Sequence, residues 1–264
     1  QENSSTGCEG PKTTITVTVN ALPVAPGATT TVDYCEGATA SALTASATSG
    51  HTLVWYDTDG TTVLSSAPTP STSTATTTAY YVAQKKTLTG CEGPKTTITV
   101  TVVPTPSAPT VSDVSYCEGD VASALTATAS SGNTLVWYDE NQILITTGAP
   151  TPSTSSVAST TYYVAQKTSS QCEGPKASIT VTVNALPSAP SATSSIEYCK
   201  GDVASALTAT ASGSHTLVWY DTDGTTVLSS APTPSTSAVG STDYYVAQEN
   251  SSTGCEGPKT TITV

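Results

Sequence analysis

The stretch Leu-Val-Trp-Tyr-Asp at residues 53–57 decides how this sequence folds, because the same five residues recur at 135–139 and 217–221. The three tryptophans, Trp55, Trp137 and Trp219, are therefore 82 residues apart. The seventeen residues that open the chain also recur, letter for letter, at 248–264. Repetition at a fixed period is typical of tandem copies of one structural unit. The sequence therefore predicts a series of small modules.

Proline-rich borders divide the chain into these modules. The sequences at the borders are ALPVAP, VPTPSAP and ALPSAP, and closely spaced prolines favour an extended, semi-rigid link. We expect module one at residues 23–103, module two at 104–186 and module three at 187–264, with the last strand of module three truncated. Residues 1–22 are expected to be the last strand of a preceding module. The partners of each module would then be neighbouring identical modules of a longer array, arranged as an extended rod.

Each module is predicted to be an all-β, antiparallel sandwich with its tryptophan in the core. No window carries a sustained apolar period of 3.6 residues, whereas Thr/Ile/Val alternation and turn residues are frequent. Seven or so short strands separated by turns are typical of an immunoglobulin-like sandwich. In module one the predicted strands are Thr30–Tyr34, Ala40–Ala47, Thr52–Tyr56, Thr62–Ser65, Ala79–Lys85 and Thr96–Val102.

The charge and the hydropathy of the chain argue against nucleic acid and against membrane insertion. The net charge is −12, and all eight basic residues are lysines. Nucleic-acid binding depends on Lys and Arg that neutralise phosphates, so nucleic acid is not expected as a partner. No apolar stretch is long enough to span a bilayer, so membrane insertion is not expected.

The repeated motifs resemble a known family of modules. Tyr-Cys-x-Gly, Leu-Val-Trp-Tyr, Ala-Pro-Thr-Pro-Ser-Thr, Tyr-Tyr-Val-Ala-Gln and Gly-Cys-Glu-Gly-Pro-Lys are similar to the immunoglobulin-like repeats of giant Bacteroidota cell-surface proteins, as in gliding-motility adhesins. The resemblance implies type IX export to the outer surface, a structural or adhesive role, and neither catalytic residues nor a cofactor. Two alternatives stay open: a carbohydrate-binding array, and spacer modules of a secreted polysaccharide-degrading enzyme.

Seven cysteines give each module a Cys…Trp…Cys order. Because small extracellular domains often staple themselves, we expect one disulfide within each module, with Cys8 unpaired. A second connectivity crosses the module borders and leaves Cys255 over. Zinc is disfavoured, since no cysteine pair has ligand spacing. The expected pairs are Cys35–Cys91, Cys117–Cys172 and Cys199–Cys255, and the competing pairs are Cys8–Cys35, Cys91–Cys117 and Cys172–Cys199.

Two further features have a functional and a structural interpretation. Asp57 and Asp59 resemble the start of a calcium loop, but a hairpin turn at Asp59-Gly60 also explains them. Tyr56 lies on the face of its strand opposite Trp55, where it could stack on a sugar or be a half-exposed sheet residue. The variable turn Lys85–Gly90, with two lysines and Leu88, could contact an acidic extracellular polysaccharide or a solid surface. The plainer structural interpretation is preferred in each case.

Overall fold

The computed structural model describes all residues from Gln1 to Val264 and consists of β-strands, turns and irregular segments. The chain divides into two compact units, Gln1–Thr105 and Pro106–Val264. The second unit contains two of the predicted modules. No helix is present that would be long and apolar enough to cross a membrane.

Module one is built on a five-stranded sheet with the order β2-β7-β6-β4-β5, and a two-stranded sheet, β1-β3, forms the second layer. Alternation explains the long strand β7, because Ile98, Val100 and Val102 point into the core while the threonines between them are half-buried. The strands are β1 (Gly27–Ala28), β2 (Thr31–Cys35), β3 (Ala45–Ser46), β4 (His51–Tyr56), β5 (Val63–Leu64), β6 (Thr77–Lys86) and β7 (Thr96–Val103).

Module two repeats the large sheet with the order β8-β12-β11-β9-β10. Its second layer is reduced to a single bridge between Thr110 and Thr128. The strands are β8 (Val114–Cys117), β9 (Thr134–Tyr138), β10 (Leu144–Ile145), β11 (Ala158–Lys167) and β12 (Ala177–Asn184).

Module three has a four-stranded sheet, β16-β15-β17-β18. The segment that precedes Cys199 forms only one bridge, between Ser195 and Thr263, and β18 itself ends at Thr263. A groove of about 320 Å³ lies beside Tyr198, Cys199 and Val264. The strands are β13 (Ser191–Ala192), β14 (Ala209–Thr210), β15 (Thr216–Tyr220), β16 (Val227–Leu228), β17 (Asp243–Glu249) and β18 (Thr260–Thr263).

Most strand pairs are antiparallel, but the first long strand of a module lies parallel to the last. In module one β2 pairs with β7, and in module two β8 pairs with β12. The register places Cys35 opposite Val103 and Cys117 opposite Asn184. The first cysteine of each of these modules therefore lies at the end of the sheet where the last strand finishes.

The three tryptophans lie in the module cores, each between 5% and 7% exposed. Around each of them pack a leucine from the irregular second layer and the valine and isoleucine of the last two long strands. The second strand predicted at Ala40–Ala47 is mostly irregular, and only Ala45–Ser46 pairs as a strand. Leu43 instead anchors this segment, since its N–H donates to the carbonyl oxygen of Pro68 and its side chain is buried.

Residues 10–22 contain no strand, although a last strand was predicted there. Ile15, Val17 and Val19 are each more than 80% exposed. The same alternating sequence forms β7 in module one, so the pattern needs a sheet to pair with. An unpaired strand sequence has no other source of backbone hydrogen bonds than water.

Candidate functional site at the module poles

Each module has two chemically distinct ends, which we call its poles. The C-terminal pole is the end where the last long strand finishes, and Cys117 lies there in module two. The N-terminal pole is the opposite end, where the Cys-Glu-Gly-Pro-Lys turn between the last two long strands meets the first residues of the module. In module three this turn spans residues 255–259.

The glycine of the Cys-Glu-Gly-Pro-Lys turn lets this turn lie directly against the backbone of the first residues of the module. A Cβ atom added at Gly257 would overlap the carbonyl oxygen of Pro187, the first residue of module three. Gly93 and Gly174 approach Pro23 and Pro106 in the same way. Only glycine allows so close a backbone approach, so the third residue of the turn fixes where the chain enters each module.

A buried glutamine ties the N-terminal pole together, and the sequence analysis missed it. Gln248 is completely buried at the end of β17. Its Nε2 donates to the carbonyl oxygen of Ser188 at 2.6 Å, and its Oε1 accepts from the N–H of Ser212 at 2.8 Å. Gln84 and Gln166 make equivalent bonds in the other modules. Because buried polar groups are costly unless they are paired, this side chain holds the entering segment in one position.

A Tyr–Glu–Lys cluster braces the same turn from the side. In module three the Tyr220 hydroxyl donates to the Glu256 carboxylate, and Lys259 Nζ lies 3.5 Å from the centre of the Tyr220 ring. The ammonium also donates to the carbonyl oxygen of Gly224 at 2.7 Å. The cluster recurs as Tyr56, Glu92 and Lys95 and as Tyr138, Glu173 and Lys176.

These tyrosines are not available for stacking on a sugar. Tyr56 is only 6% exposed, and the ammonium of Lys95 covers its ring at 3.7 Å. The interpretation of Tyr56 as a half-exposed sheet residue was therefore also wrong. Burial, together with the hydrogen bond to Glu92 and the charge of that carboxylate, raises the pKa of Tyr56 to about 12. The same causes raise the pKa of Tyr138 and of Tyr220 to about 12.

We expect three of the twelve tyrosines to ionise late, near pH 12, in a spectrophotometric titration of the folded protein. The folded pKa of these phenols lies above the unfolded value of about 10, so their contribution to stability is complete below pH 10 and is lost as the pH rises to about 12. A triple Tyr→Phe variant at positions 56, 138 and 220 should lose the late component. A wild-type titration in which all tyrosines ionise near pH 10 would contradict the cluster.

A disulfide joins modules two and three. Cys117, at the C-terminal pole of module two, is bonded to Cys255 in the turn at the N-terminal pole of module three, with 5.5 Å between the Cα atoms. The bond lies beside the linker between the two modules. Cys117 is opposite Asn184 in the sheet, just before the linker, and the turn that carries Cys255 contacts Pro187, just after it. Module two is thereby connected to module three by a covalent bond as well as by its peptide link.

The predicted pairing of cysteines within modules was wrong. Cys117 bonds to neither Cys172 nor Cys91, and Cys91 and Cys199 are thiols, as is Cys8. The reason is the parallel pairing of first and last strands. Cys117 lies at the end of β12 and Cys172 precedes its start, so eight residues of strand, about 26 Å, separate them. A disulfide requires Cα atoms closer than about 7 Å. Cys35 and Cys172 are also disulfide-bonded.

The aspartates at the hairpin act as turn residues. Asp59 Oδ1 accepts from the N–H groups of Thr61 and Thr62, and Oδ2 accepts from the Thr62 hydroxyl. These hydrogen bonds, that of the Thr62 hydroxyl first, hold the pKa of the Asp59 carboxyl well below its usual range. Asp57 Oδ1 accepts from the N–H of Thr58. In the structure no three or more His, Cys, Asp or Glu side chains are grouped so that they could hold a metal ion.

The repeated modules correspond to one protein family. Residues 23–104, 106–185 and 187–264 each match the family described as "Ig-like domain CHU_C associated". The chain belongs to this family. These matches cover most of the chain, so the Ig-like modules account for nearly all of its residues.

The chain is also similar to several solved structures. The I67–I69 fragment of the titin I-band is 13% identical, with 91% of this chain and 95% of that chain covered, at a TM-score of 0.36. The fibronectin(III)-like modules of Clostridium thermocellum CbhA are 18% identical, with 62% and 92% covered, at a TM-score of 0.34. The chicken CNTN1 FN1–FN3 domains are 15% identical, with 92% and 99% covered, at 0.33. No curated protein matches the Ig-like chain.

Proposed function

We propose that this chain is a tension-bearing stalk segment of a very large bacterial surface adhesin, exported to the outside of the outer membrane and used for attachment or gliding. The observation that carries the proposal is the bond between Cys117 and Cys255. It connects the end of one Ig-like module to the beginning of the next, so that tension between the modules has a covalent path besides the linker. A ligand-binding or catalytic module has no need of such a path.

The redox chemistry supports an outer-surface location. Disulfides form and persist in oxidising compartments and are rare in the reducing cytosol. The surface is rich in Ser and Thr, and the net charge of −12 favours solubility of a long array. Spacer modules of a secreted polysaccharide-degrading enzyme would also need modules that are joined covalently. The other domains of the full-length protein would distinguish such an enzyme from an adhesin.

Sugar binding is the second candidate, and it depends on one exposed turn. The Tyr56 face is covered, as described above. At the turn that follows β6, however, Leu88 is 91% exposed beside Lys85 and Lys86. An acidic polysaccharide could contact these side chains through charge and a small apolar surface.

Exchange of the segment in the producing cell tests the stalk proposal. We expect cells to attach normally when the three modules are replaced by three unrelated Ig-like modules of the same length, because a stalk needs length and strength rather than particular side chains. The matched variant keeps the native modules but carries the module-three turn, residues 249–254, in place of residues 85–90. Loss of attachment in the first exchange would contradict the stalk proposal, and the same loss in the second would assign binding to the turn.

A further inference from the structure

A cleft on the side of module one brings a carboxylate, a phenol and several hydroxyls together. Its volume is about 410 Å³. Asp57, which directly follows β4, Ser65 and Ser66, which follow β5, and Tyr80 on β6 all line it. None of these side chains belongs to the Tyr–Glu–Lys cluster or to the buried glutamine network, so the cleft is a separate feature of the module.

The cleft has an apolar floor and a polar rim. Leu64, Ala67 and the ring of Tyr80 form part of the floor and pack against the core, which fixes their positions. The hydroxyl-bearing Ser65, Ser66 and Thr69 are exposed. A few polar groups that converge over an apolar surface are typical of small-ligand sites.

Asp57 is a carboxylate without a basic partner. Its Oδ1 accepts from the N–H of Thr58 at 2.7 Å, whereas its Oδ2 makes no hydrogen bond within the chain. The one ion pair in the structure is between Glu9 and Lys12. Burial and the charge of Asp57 raise the pKa of Tyr80, so the phenol stays protonated and can donate a hydrogen bond. The cleft therefore offers a negative charge and a donor side by side.

Module three repeats the lining residues of this cleft without a change, and there the tyrosine is more deeply buried. Tyr244, the counterpart of Tyr80, is only 9% exposed, yet its hydroxyl makes no hydrogen bond within the chain. No fully buried side-chain polar atom in the structure lacks a partner, so this hydroxyl reaches the surface. The identical residues are Asp221, Leu228, Ser229, Ser230, Ala231, Pro232, Thr233 and Tyr244.

Module two keeps the two central groups as Asp139 and Tyr162 and adds a second carboxylate, Glu140. Burial and the charges of Glu140 and Asp139 raise the pKa of Tyr162. The carboxylate and phenol thus recur once in each module. Weak sites that are repeated along one chain favour a ligand that is itself a repeating polymer, because the second contact becomes intramolecular.

We infer that these clefts bind a polysaccharide whose sugar rings carry primary ammonium groups. The carboxylate of Asp57 pairs with the ammonium, and the hydroxyls of Tyr80, Ser65 and Ser66 bond to the hydroxyls of the ring. The net charge of −12 attracts a polycation to the chain before any specific contact forms. The inference adds a ligand to the proposed stalk and does not depend on that proposal.

Isothermal titration of the full chain with a soluble glucosamine oligosaccharide tests the inference. The N-acetylated form of the same oligosaccharide is the first control, because it keeps the ring and loses the charge. A variant removes the carboxylates of the clefts, and Asn at position 57 keeps the oxygen that accepts from Thr58. A matched variant removes as many carboxylates elsewhere. The cleft substitutions are Asp57→Asn, Asp139→Asn, Glu140→Gln and Asp221→Asn, and the control substitutions are Asp33→Asn, Glu36→Gln, Glu118→Gln and Glu197→Gln.

We expect the cleft variant to bind the glucosamine oligosaccharide at least about tenfold more weakly than the control variant, since hydrogen bonds to a charged group are the stronger kind. The wild-type chain should bind the N-acetylated form more weakly by a similar factor. Equal binding by the two variants, or equal binding of the two oligosaccharides, would overturn the inference. Equally tight binding of a lysine oligopeptide of the same charge would also overturn it, because the clefts would then recognise a cation rather than an amino sugar.

Discussion

Reduction should lengthen a stretched molecule by about 470 Å when Cys117 and Cys255 are its only cysteines, the other five being replaced by serine. The bond encloses a separation of 138 residues, and an extended residue contributes about 3.4 Å. While the bond is intact, force applied at the two ends of the chain passes from Cys117 directly to Cys255. The residues between them carry no tension, so their modules can unfold without adding length.

Single-molecule force spectroscopy measures this difference as the contour length released before and after addition of a reducing agent. The matched control is a chain in which Cys117 and Cys255 are serines as well, and its full length should be released without reduction. Equal contour lengths in the oxidised and reduced two-cysteine chains would contradict a bond between modules two and three.

Replacement of Gln248 by leucine should destabilise module three by about 1–3 kcal/mol. The leucine fills a similar volume but cannot make the hydrogen bonds to the carbonyl oxygen of Ser188 and from the N–H of Ser212. Each such hydrogen bond contributes about 0.5–1.5 kcal/mol to stability. The entering segment would then no longer be fixed against the end of β17.

Hydrogen–deuterium exchange resolved by peptide reports this loss for each module separately. Protection should fall across β15, β17 and β18 and should stay unchanged in module one. Gln1→Leu is the control, because it makes the same chemical change at an exposed position. A loss below about 1 kcal/mol would mean that water or neighbouring groups satisfy these atoms equally well.

The period, the β-sandwich and the tryptophan core could be predicted from sequence because they depend on local patterns. The spacing of Trp55, Trp137 and Trp219 gives the repeat, and the strict alternation in residues 96–102 gives a strand with one buried face. The segment at 40–47 was mispredicted because its alternation around Leu43 serves an irregular anchor rather than a strand.

The cysteine pairing could not be read from linear order. The order Cys…Trp…Cys is the same whether the two cysteines lie side by side or at opposite poles, and only the parallel pairing of β8 with β12 decides between these arrangements. Both connectivities considered from sequence failed for this reason. The pairing found links the first cysteine of one module to the second cysteine of the next.

The buried glutamine did leave a signal in the sequence. In Tyr-Tyr-Val-Ala-Gln the glutamine is identical in all three modules, whereas the residue after it is Lys85, Lys167 or Glu249. A polar residue that stays fixed beside a variable one, inside a strand, is more typical of a satisfied buried group than of a solvated position. The Tyr–Glu–Lys cluster is harder to foresee, because its tyrosine lies at least 35 residues before the turn that carries the glutamate and the lysine.

The bond between Cys117 and Cys255 also changes what a single peptide-bond cleavage can do. Residues 118–254 form a loop closed by this bond, so a protease that cuts anywhere within that loop leaves the two ends of the molecule attached to each other. Exposed turns are the usual sites of such cuts. Within modules two and three, a single cut between residues 118 and 254 therefore does not separate the two ends of the chain until the disulfide is also reduced.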